Sequence, residues 1–117
     1  FCTSLGRVLF AALPPSEQRK AIENSDRVAR TKYTITDSEE LMKIFESANR
    51  QGYAIINEEL EIGLRSLATP VRDQNGAVVA AMNIGLQAPL VSEAEMLETM
   101  LPVLSDAASE LSSRIIL

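Results

Sequence analysis

The 117-residue chain has no histidine, no tryptophan and a single cysteine, Cys2. Without imidazole, neither a Ser–His–Asp triad nor a Cys–His pair can be assembled within the chain. One thiol and no histidine leave a zinc or iron–sulfur centre without its usual ligands. A lone cysteine also excludes an intrachain disulfide, in keeping with a cytoplasmic location. No apolar run approaches the roughly 20 residues that span a bilayer as a helix, so no membrane partner is expected. No signal peptide is visible, and the chain opens on Phe1 rather than a start methionine, so a longer parent protein is expected. No catalytic residue, metal or cofactor is expected either.

Aromatics make up only 4% of the residues, whereas hydrophobic residues reach 46%. The core must therefore be aliphatic, and at this length it suits one ordinary domain. Lys and Arg total 11 against 16 Asp and Glu, a formal charge of -5. The basic residues are scattered along the chain. Direct nucleic-acid binding needs clustered cations to neutralise phosphates, so any DNA contact is expected from another part of the protein.

The hydrophobic spacing divides the chain into seven elements. Leu5, Val8, Leu9 and Ala12 recur at helical intervals from Thr3 to Leu13, with Thr3 or Ser4 as cap and Pro14-Pro15 as stop. A second, mostly polar helix runs from Ser16 to about Glu23 and reads as exposed. Thr31 to Ile35 is extended or loop. Thr36-Asp37-Ser38-Glu39 has capping-box spacing and opens a helix with Leu41, Ile44, Phe45 and Ala48 on its apolar face. Gly52 ends it. Tyr53 to Ile56, Leu64 to Arg72 and Ala77 to Leu86 read as strands, the last two joined by a tight turn at Asp73-Gln74-Asn75-Gly76. Ser92 caps a final helix with an apolar stripe of Leu97, Met100, Leu101, Leu104, Ala108, Leu111 and Ile115. Pro102, inside it, should kink or divide it. The fold class is α+β, helices packed on an antiparallel sheet that leaves an edge open unless further strands are supplied.

Four segments, in order, carry a family likeness. They are Thr3-Ser4-Leu5-Gly6-Arg7-Val8-Leu9, Arg50-Gln51-Gly52-Tyr53-Ala54, Glu58 to Ala68 with its acidic pair and Gly63-Leu64, and the hairpin Pro70 to Asp73 with Gly76 to Asn83. At this spacing the chain resembles the later part of the C-terminal domain of IclR-family transcription regulators. The wording from Asn57 to Val71 is most similar to regulators of aromatic-acid breakdown, of the protocatechuate and hydroxybenzoate type. The resemblance implies a GAF/profilin-like partial domain, a small organic acid as effector and a homodimer or homotetramer. It also implies DNA binding through a winged helix-turn-helix domain outside this chain.

Residue by residue, the resemblance places the effector pocket at Thr3, Ser4 and Leu5 on the first helix. Ile56 lies on the first strand, Ser66 on the second, and Asn83 and Gly85 on the third. A helix N-terminus offers unpaired N–H groups and a partial positive charge to a carboxylate. Equally, Ser4 could only cap its helix, and Asn83 could face solvent on an alternating strand. Ile56 stands where some relatives carry an acid, which makes that wall more apolar. Arg65 is expected on the opposite face from Ser66, pairing with Glu59 or Glu61. Glu58, Glu59 and Glu61 read as a solvated acidic turn. Two other readings stand beside the regulator: a GAF or PAS sensor module of another signalling protein, and a reductase dependent on Cys2.

Overall fold

A computed structural model describes residues 1–115. Helices α1 (Ser4–Ala11), α2 (Pro15–Glu23) and α3 (Ser38–Gln51) come first, then strands β1 (Ala54–Asn57), β2 (Leu64–Arg72) and β3 (Val78–Gln87). A short helix α4 (Glu93–Glu95), a π-helical turn (Met96–Met100) and helix α5 (Leu101–Arg114) close the chain. The strands form one antiparallel sheet in the order β1-β2-β3. The α+β class and the helix-flanked antiparallel sheet agree with the expectation.

Both faces of the sheet are covered. On one face Val8 and Ala11 of α1, Ile22 of α2, and Leu41, Phe45 and Ala48 of α3 pack on Ala54 and Ala68. The Phe10 and Phe45 rings meet at 5.7 Å between centroids, tilted by 59°. On the other face Leu67 packs with Met96 and Leu104, flanked by Ile55 and Ile84. Side chains alternate along a strand, so β2 divides its residues between these two cores. Both are aliphatic apart from a few aromatics, as composition required.

The local signals mostly hold, with corrections in α2 and α3. The α2 helix is not wholly exposed: Ile22 and Gln18 are buried. Gln18 Nε2 donates to the carbonyls of Phe10, Leu13 and, at 3.4 Å, Ala11, so it closes the C-terminus of α1. The N-cap of α3 is Asp37, one residue later than the capping box suggested; its Oδ2 accepts the Glu40 N–H at 3.0 Å. Gly52 ends that helix at φ 81°, as expected.

The β2–β3 turn falls at Asp73–Gly76 as expected, closed by the Gly76 N–H to Asp73 O at 3.1 Å, with Gly76 at φ 83°. Asp73 Oδ1 also accepts from both Asn75 and Ala77 N–H, and the register shifts between Val71 and Arg72. In the last helix Pro102 divides the run as expected: it stands in the first turn of α5, directly after the π turn. Its missing N–H is absorbed upstream by the π turn, where Leu101 N–H reaches back to Met96 O. Thr99 Oγ1 takes up the carbonyl of Glu95 at 2.6 Å. The extra residue shifts the buried stripe. Met96 is buried, whereas Leu111 is exposed, and Ile115 lies past the helix as its C-cap.

Candidate functional site

The resemblance-derived residues fall on one face of the molecule. The register pairs Ile56 with Ser66 and Ser66 with Gly85, so these three form one cross-strand row. The adjacent row on the same face is Ala54, Ala68 and Asn83. Ala54 and Ala68 sit beneath Val8 in the α1-side core. The face that carries Ile56, Ser66, Asn83 and Gly85 is therefore the one that α1 covers.

The start of α1 is tied to the connection that follows β1. Ser4, Arg7, Val8 and Ala11 are its buried residues, so Ser4 lies one turn before Val8 on the sheet-facing side. Arg7 reaches Glu59, just past the end of β1. Ser4 is 2% exposed, and its Oγ has no hydrogen-bond partner among the described residues. Thr3 is the N-cap: its Oγ1 accepts the Gly6 N–H at 3.0 Å, and its carbonyl accepts the Arg7 N–H. Helix geometry leaves the Ser4 and Leu5 N–H groups without an intrahelical acceptor. No acidic side chain in the first turn opposes the positive end of the dipole.

The other positions differ in burial. Ile56 is 1% exposed and Ser66 7%. Asn83 and Gly85 are exposed on β3. Leu5 is partly buried against the α1-side core and forms a wall. A concavity of about 400 Å³ runs along the outer edge of β1 between α3 and Glu93, and Arg7 and Glu59 are among its lining residues. Among the described residues the buried unpartnered hydroxyls are Ser4 Oγ and Thr69 Oγ1, and neither residue lines that edge concavity.

One charged pair was not foreseen. Arg7, inside the Thr3–Leu9 segment, is 2% exposed and donates to both carboxylate oxygens of Glu59, at 2.7 and 2.5 Å. Its Nε also donates to Phe1 O. Glu59 is thus no part of a solvated turn. A three-residue step from Ser4 to Arg7 on an otherwise apolar helix face was the available sign, since a buried guanidinium demands a carboxylate. Arg65 is corrected as well. It does face away from Ser66, but it donates to Asn57 Oδ1 and to the carbonyls of Ala88 and Val91 rather than to an acid. Cys2 is buried.

The chain matches the family model described as bacterial transcriptional regulator IclR C-terminal over residues 1–113. It belongs to that family. It is 37% identical over 111 residues to the Pca regulon regulatory protein of Pseudomonas putida, covering 95% of this chain and 38% of that protein. It is 33% identical over 109 residues to the p-hydroxybenzoate hydroxylase transcriptional activator of Acinetobacter baylyi, covering 93% and 39%. Among solved structures, the inducer-binding domain of PobR from Acinetobacter, a double mutant in complex with 3-hydroxybenzoic acid, superposes with a TM-score of 0.93. Their sequences are 31% identical, over 97% of this chain and 65% of that one. The chain therefore spans under two fifths of the length of these curated relatives. It is the C-terminal domain of an IclR-type regulator, related to regulators of aromatic-acid pathways. Its relatives are transcription regulators rather than enzymes. No helix among the described residues is long and apolar enough to cross a membrane.

Proposed function

We propose that this domain binds a small carboxylate from aromatic-acid catabolism in a groove between the N-terminus of α1 and the Ile56–Ser66–Gly85 row. One observation carries the reading: the buried, unpartnered hydroxyl of Ser4 at a helix start with free amides and no acid. A buried hydroxyl without a partner is uncommon, because it has lost water and gained nothing. An acid whose carboxylate meets Ser4 Oγ and the Ser4 and Leu5 N–H groups would supply that partner. Thr3, whose oxygen already accepts from Gly6, keeps its O–H proton to donate. Ser66 and Asn83 stand across the groove as polar contacts for a ring substituent. Ile56 and Leu5 give apolar walls, and Gly85 leaves room on the open side. The acid bound by the PobR domain is of this chemical class.

The response is a population shift. An acid that fits one arrangement of the domain better than another biases how paired DNA-binding domains, carried elsewhere in the protein, are spaced. This requires a homodimer or homotetramer. Isothermal calorimetry on the full-length regulator, with β-ketoadipate, protocatechuate, 4-hydroxybenzoate and 3-hydroxybenzoate, tests the reading. Saturable binding of at least one acid, lost in Ser4→Ala, is the expected result. Absence of a response to all four would overturn it.

A further inference from the structure

We infer that the buried Arg7–Glu59 pair is the positioning device of the effector groove, fixing the first turn of α1 over the sheet; this rests on the effector reading above. The pair joins three segments that are distant in sequence. Arg7 holds Glu59 through both Nη atoms and reaches back through Nε to the carbonyl of Phe1, at 3.1 Å. The residues on either side of Thr3, Ser4 and Leu5 are thereby tied to one guanidinium.

Glu59 is itself held from several directions. Its Oε1 accepts the Ile35 N–H at 3.1 Å, which brings in the connection between α2 and α3. From that connection Thr31 Oγ1 donates to the carbonyl of Glu58 and Thr34 Oγ1 to that of Glu59. Glu58 sits at φ 58°, a left-handed conformation unusual for a non-glycine residue. It is held there by its own N–H to Leu64 O and by its Oε1, which accepts the Gly63 N–H. The loop that presents Glu59 is thus defined on both sides, and its far end is the start of β2, two residues before Ser66.

Stability alone does not call for such a pair. Two desolvated charges in a core are often matched or exceeded in stability by apolar residues of similar volume. What an apolar pair cannot do is fix direction. A bidentate guanidinium–carboxylate fork allows one relative orientation of the helix and the loop, and Ser4 lies one turn before Arg7 on the same face.

The test uses the full-length regulator carrying Arg7→Met with Glu59→Leu. Thermal unfolding should stay cooperative, while amide exchange of Gly6 and Arg7, the bonded N–H groups of this turn, rises and that of α5 does not. Affinity for the bound acid among 4-hydroxybenzoate, 3-hydroxybenzoate, protocatechuate and β-ketoadipate should fall by about tenfold or more, as when one hydrogen bond to a carboxylate is lost. If the double substitution prevents folding, Arg7→Lys keeps the charge but not the fork, and should raise exchange at Gly6 and residue 7 to a lesser degree. Unchanged exchange at these amides in the folded variant overturns the inference, whatever the acids do. Raised exchange with wild-type affinity overturns it too. If wild type binds none of the four acids, the effector reading falls, and the exchange measurement still decides whether the pair positions this turn.

Discussion

Gly6 lies directly against its own N-cap: a Cβ at Gly6 would stand 2.7 Å from Thr3 Oγ1, the atom that accepts the Gly6 N–H. The glycine is therefore present for the cap. In an ordinary helix interior, Gly→Ala gains about 1 kcal/mol. Here the methyl would push the Thr3 hydroxyl off its acceptor position, and losing such a cap costs about 1 kcal/mol. Gly6→Ala alone should leave stability near wild type. In a Thr3→Ala background the same change should stabilise by about 1 kcal/mol. Urea unfolding of the four proteins gives the coupling; strict additivity would mean that the contact does not matter.

Ser4 offers a contrast between stability and binding. Its hydroxyl is buried and unpartnered, so it contributes desolvation cost without a bond in the unliganded domain. Ser4→Ala should stabilise the free domain by about 1 kcal/mol while weakening the aromatic acid by about tenfold. Thermal melts with and without 4-hydroxybenzoate separate the two effects. A Ser4→Ala protein that is less stable without ligand would show that the hydroxyl has a structural partner.

Much of this was legible in the sequence, because each legible feature depends on neighbours in the chain. Gly52 after an apolar-periodic run, Ser92 before Glu95, and the alternating Leu64–Arg72 strand all carry their signals within a few residues. The shared face of Ile56, Ser66, Asn83 and Gly85 follows from strand alternation once the register is known. What escaped depends on distance. Glu59 is read as solvated until Arg7, 52 residues earlier, is placed beside it. Gln18 looks like a surface residue of a polar helix until the chain turns at Pro14-Pro15 and aims its amide at the end of α1. The register shift beside the Asp73 turn and the π turn before Pro102 are choices between two locally allowed geometries, which tertiary packing decides.

Gln18 supplies a test of that long-range capping. Its amide donates to carbonyls at the end of α1, at 3.1 Å to Phe10 and 3.0 Å to Leu13. Removing it strands partly buried acceptors that water reaches poorly. Gln18→Leu keeps the volume and loses the donors, and should destabilise by about 2 kcal/mol. Gln18→Glu should be as harmful, because a carboxylate has no donor to offer these carbonyls. Chemical denaturation of both variants checks this; a stability equal to wild type would mean that water replaces the amide.

The surface pair between α2 and α3 gives a pH signature of known sign. Arg19 Nη1 donates to Glu39 Oε1 at 2.8 Å, and that hydrogen bond, followed by the Arg19 charge, holds the Glu39 carboxyl below its usual value of 4.5. Folding thus lowers this pKa, so the unfolded chain binds the proton at higher pH than the folded one. The contribution is complete above about pH 4.5 and is lost as pH falls through the lower, folded-state value. Both side chains are exposed, so the effect should be small and should shrink in high salt. The thermal midpoint of Arg19→Ala should approach that of wild type as pH drops below about 4.5 and on through the lower folded-state value, where Glu39 becomes protonated in both. A gap between the two proteins that widens with acidification, or that survives molar salt unchanged, would assign the role of Arg19 to packing on α3 instead.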